Sequence, residues 1–128
     1  MKNLTNIHLL MERADFQFIA SELVKYYGLK SKVKMSSRNQ GDYDFDRDII
    51  LLNKSYPSVD EFIISILHEI HHAVQRKKYG VTKFLKKYNQ ASNMADLQGK
   101  DRYLHNKWEK KAENWAQQEY RRKWKNKF

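Results

Sequence analysis

The chain has no cysteine, one proline and four glycines, and it contains no long hydrophobic run. Without cysteine, neither a disulfide framework nor a thiolate metal site can form, so any metal must be bound by His, Glu or Asp. No apolar run approaches the roughly 18 residues that would predict a membrane span. Glu12 and Asp15 directly follow a short apolar patch and no small-residue cleavage site is found, so a secretory signal is not expected. These absences favour a cytoplasmic protein.

Size and composition predict one globular domain over residues 1–128. Of the 128 residues 41% are hydrophobic and 31% are charged, which is typical of a folded chain with a single core. The net charge of +10 is unevenly distributed, because residues 1–74 carry nine Lys and Arg against ten Asp and Glu, whereas residues 75–128 carry sixteen against five. This asymmetry favours a nucleic-acid or acidic partner for the C-terminal half; a merely solvated basic surface is the alternative.

Hydrophobic spacing predicts an α+β fold. Apolar residues three and four apart predict an N-terminal helix over residues 9–27, with Gly28 at its end. Residues 30–36 alternate charged and apolar side chains, as a half-buried strand does. Residues 43–53 are rich in strand-forming residues at both ends and predict one bent strand or two short strands of a hairpin. Together these segments predict a small antiparallel or mixed sheet.

Two helices are predicted after Pro57. Ser58 and Glu61 match a capping box, and the apolar residues behind them predict a buried helix that ends near residues 78–80. Residues 102–126 predict a long helix whose inner side carries Leu104, Trp108, Ala112, Trp115 and Ala116. Between the two helices, residues 81–88 predict one or two helical turns and residues 89–101 predict a loop.

The first of these helices carries His68, Glu69 and His72 in the pattern His-Glu-x-x-His. Residues four apart share one helix face, so both imidazoles can bind one metal ion. Glu69 lies about 100° around the axis from His68, where its carboxylate can act as a base towards a metal-activated water without being a ligand. Burying these groups costs several kcal/mol unless they are satisfied. The alternative is a half-exposed helix whose polar residues have ordinary partners.

A catalytic zinc site with two histidines needs a third protein ligand and an open position. The last predicted helix offers Glu109 at the margin of its apolar stripe, with Glu113 four residues later. Taken alone, Glu109 reads as a solvated glutamate paired with nearby lysines. Beside the His-Glu-x-x-His motif it becomes the favoured ligand. His71 points about 100° away from His72 and is interpreted as a surface or substrate-facing residue.

The two motifs resemble those of glutamate-type zincin metallopeptidases, and most of all the ImmA/IrrE family of small bacterial and phage metallopeptidases. The residues that carry the resemblance are His68, Glu69 and His72 in the first motif, and Glu109, Ala112, Glu113, Trp115 and Ala116 in the second. SprT-like proteases, which act on DNA-bound proteins, match less well. They take a third histidine ligand, and His105 is the only histidine after His72.

The resemblance implies a minimal zincin-like fold and a zinc-dependent endopeptidase in the cytoplasm of a bacterium or a phage-infected cell. It implies that His68, His72 and Glu109 bind Zn²⁺ and that Glu69 is the general base. It further implies that Glu113 orients a ligand histidine, although the family usually has Asn or Asp at this position. A DNA-binding regulator is the candidate protein substrate.

Several alternatives stay open in the sequence. The residue that stabilises the transition state is expected among His105, Tyr43, Tyr103 and Tyr120, with His105 taken as the catalytic candidate. Trp108 and Trp115 are expected to pack in the core, whereas Trp124, among basic residues, is predicted to be an exposed contact. Two other functions remain: a nucleic-acid-binding protein on a zincin scaffold with a structural or lost metal, and a non-peptidase zinc hydrolase.

Overall fold

The computed structural model describes residues 16–39, 41–101 and 106–125, and over these ranges it shows four α-helices and a three-stranded mixed sheet. The elements are α1 Phe16–Tyr26, β1 Lys32–Met35, β2 Asp42–Asp44, β3 Ile49–Leu52, α2 Val59–Tyr79, α3 Val81–Leu97 and α4 Lys107–Glu119, which continues as a π-helical segment, Tyr120–Trp124. The predicted α+β fold class is confirmed. None of the helices in the described ranges is long and apolar enough to cross a membrane.

The sheet has the strand order β1-β3-β2. β3 pairs parallel to β1 and antiparallel to β2, so that Ile50 lies opposite Val33 on one side and opposite Tyr43 on the other. Ile50 and Leu52 are fully buried, as expected for a central strand. The segment predicted as one bent strand or a hairpin is the hairpin, β2 and β3.

The hairpin is anchored through its turn residue Asp48, which has a positive φ of 57°. Its carboxylate accepts hydrogen bonds from the hydroxyls of Ser31, at 2.6 Å, and Tyr43. On the other side Arg76 of α2 lies 3.8 Å from Asp48 and donates to the backbone oxygen of Phe45 at 2.6 Å. These bonds hold the hairpin against the last turns of α2, close to the His-Glu-x-x-His motif.

α2 is the central helix, and its predicted boundaries are confirmed. The Ser58 hydroxyl accepts a hydrogen bond from the Glu61 backbone amide at 3.2 Å, and the helix ends at Gly80, whose φ is 82°. Its apolar face packs on α1, the sheet and α4 to form the main core. The fully buried large side chains of this core include Ile19, Leu23, Ile50, Leu52, Phe62, Ile63, Ile66, Leu67 and Ile70.

Residues 81–101 differ from the sequence prediction. One helix, α3, runs through Leu97, where one or two turns and a loop were predicted. Asn and Ser in this segment have weak helix propensity, but tertiary contacts override it. Phe84, Ala91 and Ala95 are buried along one face. The side-chain amide of Asn106 donates to Tyr88 O at 3.0 Å and to Ser92 Oγ at 2.8 Å.

α4 begins at Lys107, five residues later than predicted. The reason is Asn106, which has an extended backbone and caps the helix by accepting from the Trp108 amide at 2.8 Å. Ala112 and Ala116 are fully buried and Trp108 is nearly so, as predicted, while Trp115 is partly buried against the core. Leu104 lies outside the described residues.

The prediction of Trp124 as an exposed contact is wrong, because only 2% of it is exposed. Trp124 continues the four-residue repeat of Ala112, Ala116 and Tyr120, and its basic neighbours in the sequence concealed this. Its indole N–H donates to the Tyr27 hydroxyl at 2.9 Å. The described end of the chain is therefore packed into the core beside α1.

Glu119 connects the C-terminal end of the described chain to Tyr27, which directly follows α1. Glu119→Gln is therefore expected to lower the free energy of unfolding at neutral pH by ~1–3 kcal/mol. The buried carboxylate accepts from Tyr27 at 2.7 Å, and it binds Arg122 and, at 3.5 Å, Lys123. Burial alone would raise the pKa of Glu119, but the hydrogen bonds from Arg122 and Tyr27 lower it. The stabilisation is therefore present above the ordinary glutamate pKa and is lost as the pH falls through the lowered one.

Urea denaturation over a series of acid to neutral pH values measures this effect. The stability difference between wild type and Glu119→Gln should be largest near neutrality and shrink towards acid pH. Glu61→Gln, which changes an exposed carboxylate, is the matched control and should cost little. A difference for Glu119→Gln that stays constant with pH would contradict the assignment.

Candidate metal centre

The pairing of α2 with α4 brings the two sequence motifs to one point. His68 Nε2 and His72 Nε2 each lie 2.8 Å from Oε1 of Glu109, which is in the first turn of α4. One ligand atom from each of these residues lies within 4.8 Å of the others, and no other such His/Cys/Asp/Glu cluster occurs in the described ranges. His72 and Glu109 are buried, and His68 is mostly so. The three predicted ligands thus meet.

The hydrogen bonds of the two imidazoles test whether this point fits a cation. His72 Nδ1 lies 3.0 Å from the Gln75 side-chain oxygen, and His68 Nδ1 lies 2.9 Å from a Glu113 carboxylate oxygen. Both partners are acceptors, so each Nδ1 carries a hydrogen, and each ring that has no proton on Nε2 presents a lone pair there to Glu109. Three lone pairs then converge, which requires protons or a metal ion between them. Two imidazole nitrogens and a carboxylate oxygen form a donor set that Zn²⁺ prefers.

The pKa values of the cluster residues show that their mutual hydrogen bonds offset the cost of burial. Burial lowers the pKa of His68, but hydrogen bonds to Glu109 and Glu113 outweigh burial and raise it to about 10. Burial would raise the pKa of Glu109, whereas hydrogen bonds with both histidines lower it well below its ordinary value. The hydrogen bond to His68 also lowers the pKa of Glu113. A bound cation would take the place of the protons that hold these groups together.

Glu69 is buried beside the cluster, with 4% of its surface exposed. Burial raises its pKa to about 7, against the lowering effect of the charges on His68 and His72. Its Oε2 faces the start of β2, since a Cβ atom added at Gly41 would lie 3.8 Å away. A carboxyl group with a pKa near neutrality is suited both to accept a proton and to return it.

Three hydrogen-bond partners surround the ligand side chains. Glu113 Oε1 lies 2.9 Å from Nδ1 of His68, and its predicted role in orienting a ligand histidine stays a prediction. Gln75 was missed in the sequence, although it lies three residues after His72 on the same helix and a search for partners at that spacing would have found it. Tyr88, whose hydroxyl donates to Glu109 Oε2, was missed because its segment was not recognised as a long helix.

His71 does not join the cluster. Its ring stacks on Trp115 with the centroids 5.1 Å apart and the planes 28° apart, and burial lowers its pKa to about 4. The side chain is half-buried against α4, and its prediction as a surface or substrate-facing residue stays a prediction.

The structure places the other catalytic candidates as follows. The Tyr43 hydroxyl donates to Asp48, and the Tyr120 hydroxyl donates to Asp60, so both are engaged away from the cluster. His105 and Tyr103 lie outside the described residues. Among the tyrosines that the structure describes, Tyr88 is the one recorded with its hydroxyl on a cluster residue.

A cavity of about 780 Å³ adjoins the cluster. Tyr88, which binds Glu109, and Gly41, which faces Glu69, both contribute to its wall. The remaining lining residues are Arg38, Asn39, Asp42, Tyr43, Phe45 and Leu51. Phe45 also packs edge-on against the ring of His72, with the centroids 5.8 Å apart. The cavity wall thus contains neighbours of Glu109 and Glu69, namely Tyr88 and Gly41, rather than these two glutamates themselves.

The purified chain is expected to bind one Zn²⁺ through His68, His72 and Glu109. Glu113→Ala removes an outer hydrogen-bond partner and should weaken Zn²⁺ binding by roughly 10–100-fold. Glu109→Ala removes a ligand and should weaken Zn²⁺ binding by more than this. Elemental analysis gives the stoichiometry, and competition with a chromophoric chelator gives the affinity. His71→Ala, which removes a neighbouring imidazole outside the cluster, should retain wild-type affinity. Zinc well below one equivalent after saturation would rule the site out.

Comparison of the chain with models of protein families, with curated proteins and with solved structures gave no significant match.

Proposed function

We propose that this protein is a zinc-dependent endopeptidase in which His68, His72 and Glu109 hold the metal and Glu69 is the general base. The observation that supports it most is the meeting of two histidine Nε2 atoms and one glutamate oxygen, with a second, buried glutamate beside them. The resemblance of the two motifs to ImmA/IrrE metallopeptidases points in the same direction.

The residues around the metal position divide the chemical work. Zn²⁺, when bound, supplies a Lewis acid that polarises a carbonyl and makes water nucleophilic near neutral pH. Glu69 accepts the proton of the attacking water and returns it to the leaving amine. Its burial raises its pKa towards 7, which brings these two transfers close to balance. Glu113 and Gln75 keep the Nδ1 hydrogens in place, so that both Nε2 atoms remain available as ligands.

A peptide is the substrate class that best suits the surroundings of Glu69. Within the described ranges β2 is an edge strand of the sheet, and Gly41, directly before it, faces the Glu69 carboxylate. An extended peptide can add to an edge strand through backbone hydrogen bonds, which places a peptide carbonyl beside the base. The adjoining cavity, with Arg38 and Phe45 in its wall, would receive a substrate side chain. A DNA-binding regulator, implied by the family resemblance, is the proposed protein target.

Two rival functions make different predictions. A nucleic-acid-binding protein with a structural or lost metal would use the positive charge of residues 75–128, but Arg122 and Lys123 are engaged with buried Glu119 and Trp124 lies in the core. Its affinity for DNA should fall steeply with salt, and it should not hydrolyse peptides. A non-peptidase zinc hydrolase would bind zinc and cleave small esters or amides while leaving polypeptides intact.

Glu69→Gln is expected to keep the fold and the bound zinc but to slow peptide hydrolysis. The rate should fall by roughly 100-fold to 10,000-fold, which is the usual contribution of general acid–base catalysis. An amide is nearly isosteric with the carboxyl group but cannot accept the proton of the water. Rates are measured with quenched fluorescent peptides and an unfolded protein, together with zinc content. Glu61→Gln, the same change on the exposed part of α2, is the control. Near wild-type cleavage by Glu69→Gln would remove Glu69 from the mechanism.

A further inference from the structure

The two carboxylate oxygens of Glu109 have different partners. Oε1 lies 2.8 Å from the Nε2 atoms of both His68 and His72. Oε2 accepts a hydrogen bond from the hydroxyl of Tyr88, which comes from α3. The carboxylate is 7% exposed, so a hydroxyl donor satisfies an oxygen that has little access to water. Oε1 is therefore placed to bind a cation, whereas Oε2 is occupied by the hydrogen bond from Tyr88.

Tyr88 is held in this place from two sides. Its ring packs against Phe45 and Phe84, with the centroids 5.5 Å and 6.2 Å apart. Its backbone oxygen accepts from the amide of Asn106, which is fully buried and also caps α4. Since Glu109 lies in the first turn of α4, one asparagine sets both the start of the helix that carries the carboxylate and the position of the tyrosine that binds it.

We propose that Tyr88 is a positioning residue that makes Glu109 a one-oxygen metal ligand and so preserves the open coordination position. The inference rests on the proposed metal site. A carboxylate can bind a cation through one oxygen or through both. Catalytic zinc sites combine three protein ligands with an open position for water or substrate, and a second oxygen from Glu109 would compete for that position. The Tyr88 hydroxyl prevents this by engaging Oε2 in a charge-assisted hydrogen bond.

A merely structural role for Tyr88 makes a different prediction. If the hydroxyl only satisfied a buried oxygen, its removal would lower the urea midpoint of the metal-free protein. The coordination of the bound metal would then stay as it was. Metal affinity and metal spectroscopy therefore separate positioning from stability.

Tyr88→Phe removes one oxygen atom and keeps the ring. It should weaken Zn²⁺ binding by roughly 10–100-fold, as loss of an outer hydrogen-bond partner does. With Co²⁺ in place of Zn²⁺, visible absorption should become weaker than in the wild type, because four-coordinate Co²⁺ absorbs more strongly than the five-coordinate ion. Tyr120→Phe is the matched control: it removes another hydroxyl-to-carboxylate bond, to Asp60, and should change neither affinity nor spectrum.

Asn106→Asp is a second, independent variant. It keeps the oxygen that caps α4 but removes the amide that donates to Tyr88 and Ser92, so it should also weaken Zn²⁺ binding and reduce the Co²⁺ absorption. If circular dichroism shows that Tyr88→Phe does not fold, Asn106→Asp alone tests the role of Tyr88. Wild-type protein without zinc binding would overturn the proposed function together with this inference. If the wild type binds zinc and the folded variants have the same Zn²⁺ affinity and Co²⁺ spectrum as the wild type, the role of Tyr88 alone is overturned.

Discussion

The structure depends on one buried carboxylate, that of Glu109, shared between two imidazoles. Removing such a group from water costs several kcal/mol unless charges and hydrogen bonds compensate it. Here His68 and His72 of α2 share one oxygen and Tyr88 of α3 occupies the other. Three helices must therefore keep a fixed mutual position, and this requirement links the fold to the site more closely than apolar packing alone would.

The aromatic residues next to the cluster serve the same requirement. Phe45 from the hairpin and Phe84 from α3 pack against the rings of His72 and Tyr88, and Trp108 from α4 packs on Phe84. Because well-packed aromatic rings have little freedom to move, the polar groups that they surround keep their orientation. A small second core thus lies beside the proposed ligands, and the main core packs beneath α2, the helix that contains His68 and His72.

Local signals in the sequence account for about half of the site. His68, Glu69 and His72 follow from spacing on a helix with a clear cap and apolar face, and Glu109 follows from its place beside an apolar stripe. Tyr88 could not be found in this way, since its position depends on Asn106, eighteen residues later, and the intervening Asn and Ser residues weaken the helical signal. For Trp124, the neighbouring charges conceal the four-residue repeat of Ala112, Ala116 and Tyr120 that it continues. The position of Tyr88, by contrast, depends on a non-local hydrogen bond that no local pattern encodes.

The contact between Trp124 and Tyr27 joins residues 97 positions apart. During synthesis the N-terminal part of a chain is made first, and a contact of this kind cannot form until its later partner has left the ribosome. α2, with both histidines, is translated well before Glu109 and before the segment that packs α4 against α1. A nascent chain would therefore carry a His-Glu-x-x-His helix without its third proposed ligand until Glu109, and then the segment that packs α4 against α1, have left the ribosome.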